Sequence, residues 1–178
     1  MEFNDVIRKR TATRKFSNRK LSQEDIEKIL EAGRLAPTAK NFQPQLIYVV
    51  ISEEKIKKID QVTPCRYNAQ CCLLVCSDKE KAFHKDEYST FEIDATIVAT
   101  HMILESANLN IDSTWIEAFD KNKVKEVFNL GDDIEPVCII NLGYKTDDCP
   151  ENPMHNQRKN INETVKYLWL WCIDLLDK

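Results

Sequence analysis

Apolar residues fall on nearly every side of one stretch of this chain, residues 91–120, FEIDATIVATHMILESANLNIDSTWIEAFD. Set on a helix at about 100° per residue, Ile93, Ile97, Val98, Met102, Ile103, Leu104 and Ala107 leave only a narrow polar stripe. The stripe is Asp94, His101, Glu105 and Asn108. A helix of this kind is packed on most of its faces. It belongs in the middle of the core, or in a core continued into a second subunit. The chain then turns through residues 108–110 into a short extended run, 111–117, that ends in Phe119 and Asp120.

The remaining elements can be laid around that helix. Residues 3–8 form a short helix with Phe3, Val6 and Ile7 on one face, followed by the basic run RKRTATRKF, whose plain reading is a solvated turn. Ser22 is an N-cap with Asp25 three residues on. The helix it opens puts Ile26, Ile29, Leu30 and Leu35 toward the core and stops before Pro37. APTAKNFQPQ, residues 36–45, is a polar loop, and LIYVVI, 46–51, is an apolar run of the kind buried on both faces. A charged helix over 53–59, a second buried strand over 71–77 and a hydrophilic loop over 78–89 precede the central helix. After the third strand, Asp120 caps a helix with Val124, Val127 and Phe128 inward, ended by Gly131. A fourth strand over 136–143 and a polar loop over 144–159 lead to a last helical pattern, 161–176. Its Leu168-Trp169-Leu170-Trp171 leaves apolar surface on more than one side, which suits docking. Periodicity alone leaves α/β and α+β both open.

Composition narrows the chemistry. With 178 residues and no linker or repeat, the expectation is one domain, 1–178, with 161–178 as a C-terminal helix or arm. A net charge of −4 argues against a nucleic-acid partner, and no apolar run approaches the roughly 20 residues that span a bilayer. The charged N-terminus and seven cysteines without a signal peptide point to a cytoplasmic protein with reduced thiols. Only Gly33, Gly131 and Gly143 are present, so neither a dinucleotide fingerprint nor a P-loop is possible. A bound phosphate would have to be held by arginine and lysine side chains.

Cys65, Cys71, Cys72 and Cys76 cluster, but no C-x-x-C pair exists, and most lie in an apolar strand where cysteine acts as a small hydrophobe. No metal site is expected. His101 reads as a hydrogen-bonded structural residue, and His84 and His155 as loop residues without partners. No nucleophile elbow marks a hydrolase.

Three patches remain, and together they are similar to the FMN-dependent nitroreductase family. Arg10-Thr11-Ala12-Thr13-Arg14-Lys15-Phe16 matches that family's R-R-S-x-R-x-F opening in spacing, and residues 36–44, APTAKNFQP, match its A-P-S-x-x-N-x-Q-P loop. Leu109 through Trp115-Ile116-Glu117-Ala118-Phe119 resembles the L-G-L-x-x-x-W-I-G/E-x-F segment. Leu142-Gly143-Tyr144 and the pair Arg158-Lys159 complete the order. Thr11 stands where the family usually has arginine or histidine, Ala12 where it has serine, and Lys40 and Gln45 where it has a small residue and tryptophan.

The resemblance implies an α+β sandwich around a mainly antiparallel sheet flanked by helices, as a homodimer with the long central helix buried and FMN between subunits. It implies that Arg10 and the Arg158-Lys159 pair hold the phosphate, with Thr11 and Ala12 alongside, and that Arg14 faces the pyrimidine edge or ribityl chain. Pro37, Thr38 and Asn41 would come from the other subunit onto the ring, and Asn68 would also contact it. Ile116, Glu117 and Ala118 would line the ring, with the Glu117 backbone amide toward flavin N5. The implied activity is ping-pong hydride transfer from NAD(P)H through N5 to a nitroaromatic, quinone or activated enone. A non-reductase FMN-binding or regulatory protein of the same fold is the alternative.

Overall fold

The computed structural model describes residues 1–168, and a four-stranded sheet within them carries everything else. The strands are β1 (Gln45–Val50), β2 (Cys71–Asp78), a small hairpin of β3 (His84–Lys85) and β4 (Tyr88–Ser89), then β5 (Asp112–Ile116) and β6 (Ile134–Gly143). The main sheet has the order β1-β2-β6-β5, and every neighbouring pair is antiparallel. Six helices accompany it among the described residues: α1 (Phe3–Lys9), α2 (Gln23–Arg34), α3 (Glu53–Val62), α4 (Phe91–Asn108), α5 (Lys121–Phe128) and α6 (Ile161–Thr164). The fold is α+β, an antiparallel sheet flanked by helices, as the resemblance implied. No helix among the described residues is long and apolar enough to cross a membrane.

Two-residue alternation divides the central strands between two cores. Cys71, Leu73 and Val75 of β2, with Cys138, Ile140 and Leu142 of β6, face α2 and α4. Cys72, Leu74 and Cys76, with Ile139, face Ile59 and Val62 of α3 and Val124 of α5. All eight residues of β2 are buried. Leu73 pairs with Ile140 and Leu74 with Ile139, and the register slips between Val75 and Cys76, where Pro136 lies opposite Cys76. Proline has no N–H to give the ladder, so a bulge is the natural response.

The central helix α4 lays Ala95, Val98, Ala99 and Met102 against the sheet and α2. Gly33 of α2 permits the approach: a Cβ there would stand 2.8 Å from Met102 Cγ. The polar stripe is hydrogen-bonded, locally except at Asp94, which accepts from the Ala39 N–H. Asp94 is buried, His101 Nδ1 meets the Ile97 carbonyl at 2.8 Å, and Asn108 Nδ2 donates to Glu105. Ile93 is exposed and Ile97, Ile103 and Leu104 are half-buried, so the apolar surplus lies on the solvent side of the single chain.

Several sequence expectations are corrected. β1 is not buried on both faces: Leu46, Tyr48 and Val49 are exposed, because β1 is an edge strand with one ladder partner. Leu35 is 66 % exposed, since α2 ends at Arg34 and Leu35 leaves its core face. Asn129, at φ 53°, ends α5 in place of Gly131, a left-handed position asparagine tolerates. The 78–89 loop contains the β3–β4 hairpin. His84 and His155 both have partners, the carbonyls of Lys79 and Arg8 at 2.7 and 2.8 Å. Of the last helical pattern, the described residues form one helical turn, Ile161–Thr164, opened by a capping box of Asn160 and Glu163, and Val165 is extended. The expectation for Trp169 and Trp171 lies outside the described residues.

Candidate active site

Backbone bonds fix the basic segment in place. Arg10 ends α1, its N–H donating to the Val6 carbonyl at 3.0 Å, and turns the chain into extended geometry. Ala12 then bridges Ser113 in parallel with β5, and the Thr13 N–H donates to the Ser113 carbonyl at 3.0 Å. The Thr13 hydroxyl reaches Asp112 Oδ1 at 3.3 Å, and the Thr114 hydroxyl donates to the Thr13 carbonyl. Phe16, 2 % exposed, bridges Lys145 and donates its N–H to the Tyr67 carbonyl at 3.0 Å. The segment is therefore stitched to the free edge of β5, and the solvated-turn reading is set aside. Thr13 and Phe16 are its buried anchors; Arg14 points outward.

Arg10 stands at the head of this segment, near enough to Arg158 for the second charge to act on it. Arg10 is half-buried, and its pKa is lowered first by that burial and then by the positive charge of Arg158. Arg158 Nη1 donates to the carbonyls of Met154 and Gln157 at 3.2 and 2.7 Å, and His155 ties the same turn to the end of α1. Like charges held close in a folded chain cost free energy unless an anion sits between them. Two polar cavities lie along this segment. One of about 250 Å³ takes in Thr11, Ala12 and His155; the other, of about 200 Å³, takes in Arg10, Thr11 and Lys145. Lys159 follows in the exposed turn before α6.

Because the segment runs parallel to β5, Arg14 lies farther along the strand, toward Glu117. At about 3.3 Å per extended residue, Arg10 and Arg14 stand roughly 13 Å apart along the edge. Arg14 lies near the Tyr67 phenol, whose pKa is raised, chiefly by the neighbouring Cys65 thiol and by burial. Asn68 is brought beside the segment too, its Nδ2 donating to the Phe16 carbonyl and Asn18 Oδ1, each at 3.0 Å. Ile116 is buried and paired with Ile139, whereas Glu117 and Ala118, just past the strand, are exposed. This end is clamped as well. Thr63 donates to the Ala118 carbonyl at 2.7 Å, and the Trp115 indole donates to Glu117 Oε1 at 2.9 Å.

The Pro37–Thr38–Asn41 loop is held elsewhere. The Ala39 N–H donates to Asp94 Oδ1 at 2.8 Å, near the start of α4, while Lys9 bonds Asn110 just beyond its end. With a rise of about 1.5 Å per residue, those two anchor points are some 20–25 Å apart along α4. Within one chain the loop and the Arg10 cluster do not meet. The loop is strained: Lys40, Asn41 and Gln43 all have positive φ, as do Tyr67 and Asn68, and no glycine does. Non-glycine residues in that region concentrate at functional sites.

The cysteine cluster offers no reactive thiol in the strands. Burial pushes Cys71 and Cys76 up to about 12, and Cys72 and Cys138 higher still. Sequence reasoning missed the Cys65–Tyr67–Arg14 contact and the pairing of Phe42 with Phe83, neither of which has a local signal. The Asp94–Ala39 bond did have one, since a carboxylate in an otherwise apolar helix must have a partner.

The model of the nitroreductase family matches residues 7–65 and 63–144, which contain the basic segment, the strained loop and the end of β5. The chain belongs to the nitroreductase family. A crystal structure of a nitroreductase family protein from Clostridium difficile 630 is 34 % identical and superposes with a TM-score of 0.89, covering 96 % of this chain and 100 % of that one. A relative from Archaeoglobus fulgidus, provisionally named NADH dehydrogenase/NAD(P)H nitroreductase, is 31 % identical over 153 residues, 80 % of this chain and 85 % of the relative. An NADPH-dependent oxidoreductase of Staphylococcus aureus is 26 % identical, with 81 % of this chain and 65 % of that one aligned. A protein from Exiguobacterium sibiricum 255-15, solved in complex with FMN, shares the fold at 19 % identity and a TM-score of 0.83, with 94 % and 97 % coverage. These neighbours place the chain among oxidoreductases.

Proposed function

We propose that this nitroreductase family protein is an FMN-dependent NAD(P)H oxidoreductase acting on nitroaromatic, quinone or activated enone acceptors. The observation that carries the reading is the basic segment bonded along the edge of β5, with Arg10 at its head, within reach of the Arg158 charge, and Arg14 farther along toward Glu117. That arrangement suits a ligand with an anion at one end and a planar, hydrogen-bonding ring at the other. FMN has that shape, and in a chain whose few glycines make no phosphate loop the phosphate falls to side chains. The FMN complex of the Exiguobacterium neighbour supports the same cofactor.

Arg10, Arg158 and Lys159 would hold the phosphate, with Thr11 and Ala12 beside it. Arg14 would set a fixed positive charge near the pyrimidine edge, favouring the anionic reduced ring. The clamped segment Ile116–Glu117–Ala118 would present the Glu117 backbone N–H to N5. With FMN bound, the two-electron chemistry is the flavin's, taking hydride from NAD(P)H and giving it to the acceptor in turn. The protein's own part is positioning and electrostatics.

The separation along α4 supports a homodimer. Pro37, Thr38 and Asn41 are held at the opposite end of α4 from the Arg10 cluster, and on this reading a second copy brings them to the ring. The exposed apolar side of α4 and the outer face of β1 are surfaces such a copy would cover.

The deciding experiment is a visible absorption spectrum of the purified protein, before and after anaerobic NADH and NADPH. Flavin bands that bleach support the oxidoreductase. Flavin bands that persist favour a binding or regulatory role. Absence of flavin even after incubation with FMN overturns the cofactor assignment and points to Thr11 and Ala12.

A further inference from the structure

A cation and two aromatic rings meet on the strained loop. The Lys40 ammonium lies 4.7 Å from the centre of the Phe83 ring. The Phe42 and Phe83 ring centres are 6.4 Å apart with their planes inclined by 57°. Lys40 is exposed and Phe42 is 48 % exposed, so a cation and an apolar ring stand side by side in water. Neither side chain is needed to anchor the loop. That is done by Asp94 accepting from the Ala39 N–H and by the Thr38 hydroxyl accepting from the Gln43 N–H at 3.0 Å. Phe83 is held from behind, where its carbonyl accepts the Thr90 N–H at 3.0 Å. Lys81 nearby is paired with Asp78 at 2.7 Å, whereas no carboxylate among the described residues pairs with Lys40. The backbone of Lys40, at φ 49°, is one lysine adopts only at a cost, and it fixes where the side chain leaves the loop.

We propose that Lys40, Phe42 and Phe83 form a substrate-selecting lip for a planar ring that carries an anionic group. The ring stacks on the exposed face of Phe42. The anion pairs with the Lys40 ammonium, which the Phe83 ring holds in place. The lip adjoins Thr38 and Asn41, and its place at the mouth of a reaction site rests on the flavin reading above. Two sources offer this chemistry: an acceptor such as an aromatic carboxylate, and the adenosine 2′-phosphate of NADPH.

The test compares the wild-type holoprotein with Lys40→Gln and Lys40→Arg. Glutamine removes the charge and leaves the same Cβ at the left-handed position. Two ratios of kcat/KM are read: 4-nitrobenzoate against 4-nitroacetophenone, and NADPH against NADH with a neutral quinone. At least one ratio falls about fivefold in Lys40→Gln, the scale of one exposed charge pair, and recovers in Lys40→Arg. A change in the first ratio puts the anion on the acceptor; a change in the second puts it on the coenzyme. Calorimetric titration with 4-nitrobenzoate and with adenosine 2′,5′-bisphosphate gives the same comparison without turnover. Ratios and affinities all unchanged overturn the lip. A wild type without flavin chemistry overturns the oxidoreductase reading instead, and the titrations still decide this inference.

Discussion

The carboxylate of Asp94, 1 % exposed inside the central helix, accepts the backbone N–H of Ala39 at 2.8 Å, 55 residues away in sequence. The Thr90 hydroxyl donates to its other oxygen at 2.7 Å. One buried side chain thus joins the start of α4 to the loop that carries Pro37, Thr38 and Asn41. Asp94→Ala leaves a part-buried amide without its acceptor and is expected to lower stability by about 1–3 kcal/mol. Asp94→Asn keeps one acceptor and loses less. Urea midpoints at constant m-value measure both.

Removing one of two like charges separates a binding role from a structural one. Arg158→Ala relieves the repulsion on Arg10, so the apoprotein is expected to keep its thermal midpoint or gain slightly. FMN affinity is expected to fall about 10- to 100-fold, the worth of one charge-assisted hydrogen bond to phosphate. Fluorescence titration of FMN, beside differential scanning calorimetry of the apoprotein, reads the two effects apart. A destabilised apoprotein with unchanged FMN affinity would show that the pair is structural.

Thiol chemistry is expected to sort by strand. Cys65 and Cys149 are only partly buried, while Cys71, Cys72, Cys76 and Cys138 are buried with raised pKa values. At pH 8, iodoacetamide should modify the first two in the native protein and the other four only after unfolding, as peptide mass mapping would show. The same shifts set a pH trend. Above about pH 9 the unfolded thiols ionise while Cys71 and Cys76 stay protonated up to about 12. The unfolded state then binds fewer protons, so stability falls as pH rises through this window, by up to about 1.4 kcal/mol per unit for each thiol.

Gly33→Val tests the contact between α2 and α4. The first added carbon alone would stand 2.8 Å from Met102 Cγ and 3.3 Å from Val98 Cγ1, both on fully buried residues. Overpacking of this kind is expected to cost about 2–3 kcal/mol. Combining it with Met102→Ala should recover part of the loss, a non-additivity that chemical denaturation of the single and double variants would reveal.

Much of this architecture was legible in the residues. Apolar spacing placed α1 to α5 and the four strands of the main sheet to within a few positions. Ser22 and Asp120 acted as the caps their types and places predicted, accepting from the Asp25 and Lys123 N–H groups. The basic segment, the strained loop and the end of β5 were picked out by residue type and order, and the family match covers all three. Two of the misses share a local reason. Leu35 and Gly131 were assigned from patterns that extend one step past the helix end, and helix ends are settled by competing caps.

The two strands LIYVVI and CCLLVC show where sequence stops and tertiary structure begins. Both are continuous apolar runs, and periodicity alone treats them alike. The sheet order places the second in the middle, wholly buried, and the first at an edge with Leu46, Tyr48 and Val49 in the open. By itself the sequence determined which segments are helix or strand, which faces are apolar, and that any phosphate would rest on arginine and lysine. Only the tertiary structure decided which strand became the edge, that Arg10 would come within reach of the Arg158 charge, and that the loop at 37–43 would lie at the far end of α4 from Arg10. The reason is physical: side-chain periodicity records burial about a local axis, whereas strand order and loop convergence depend on contacts between residues far apart in the chain.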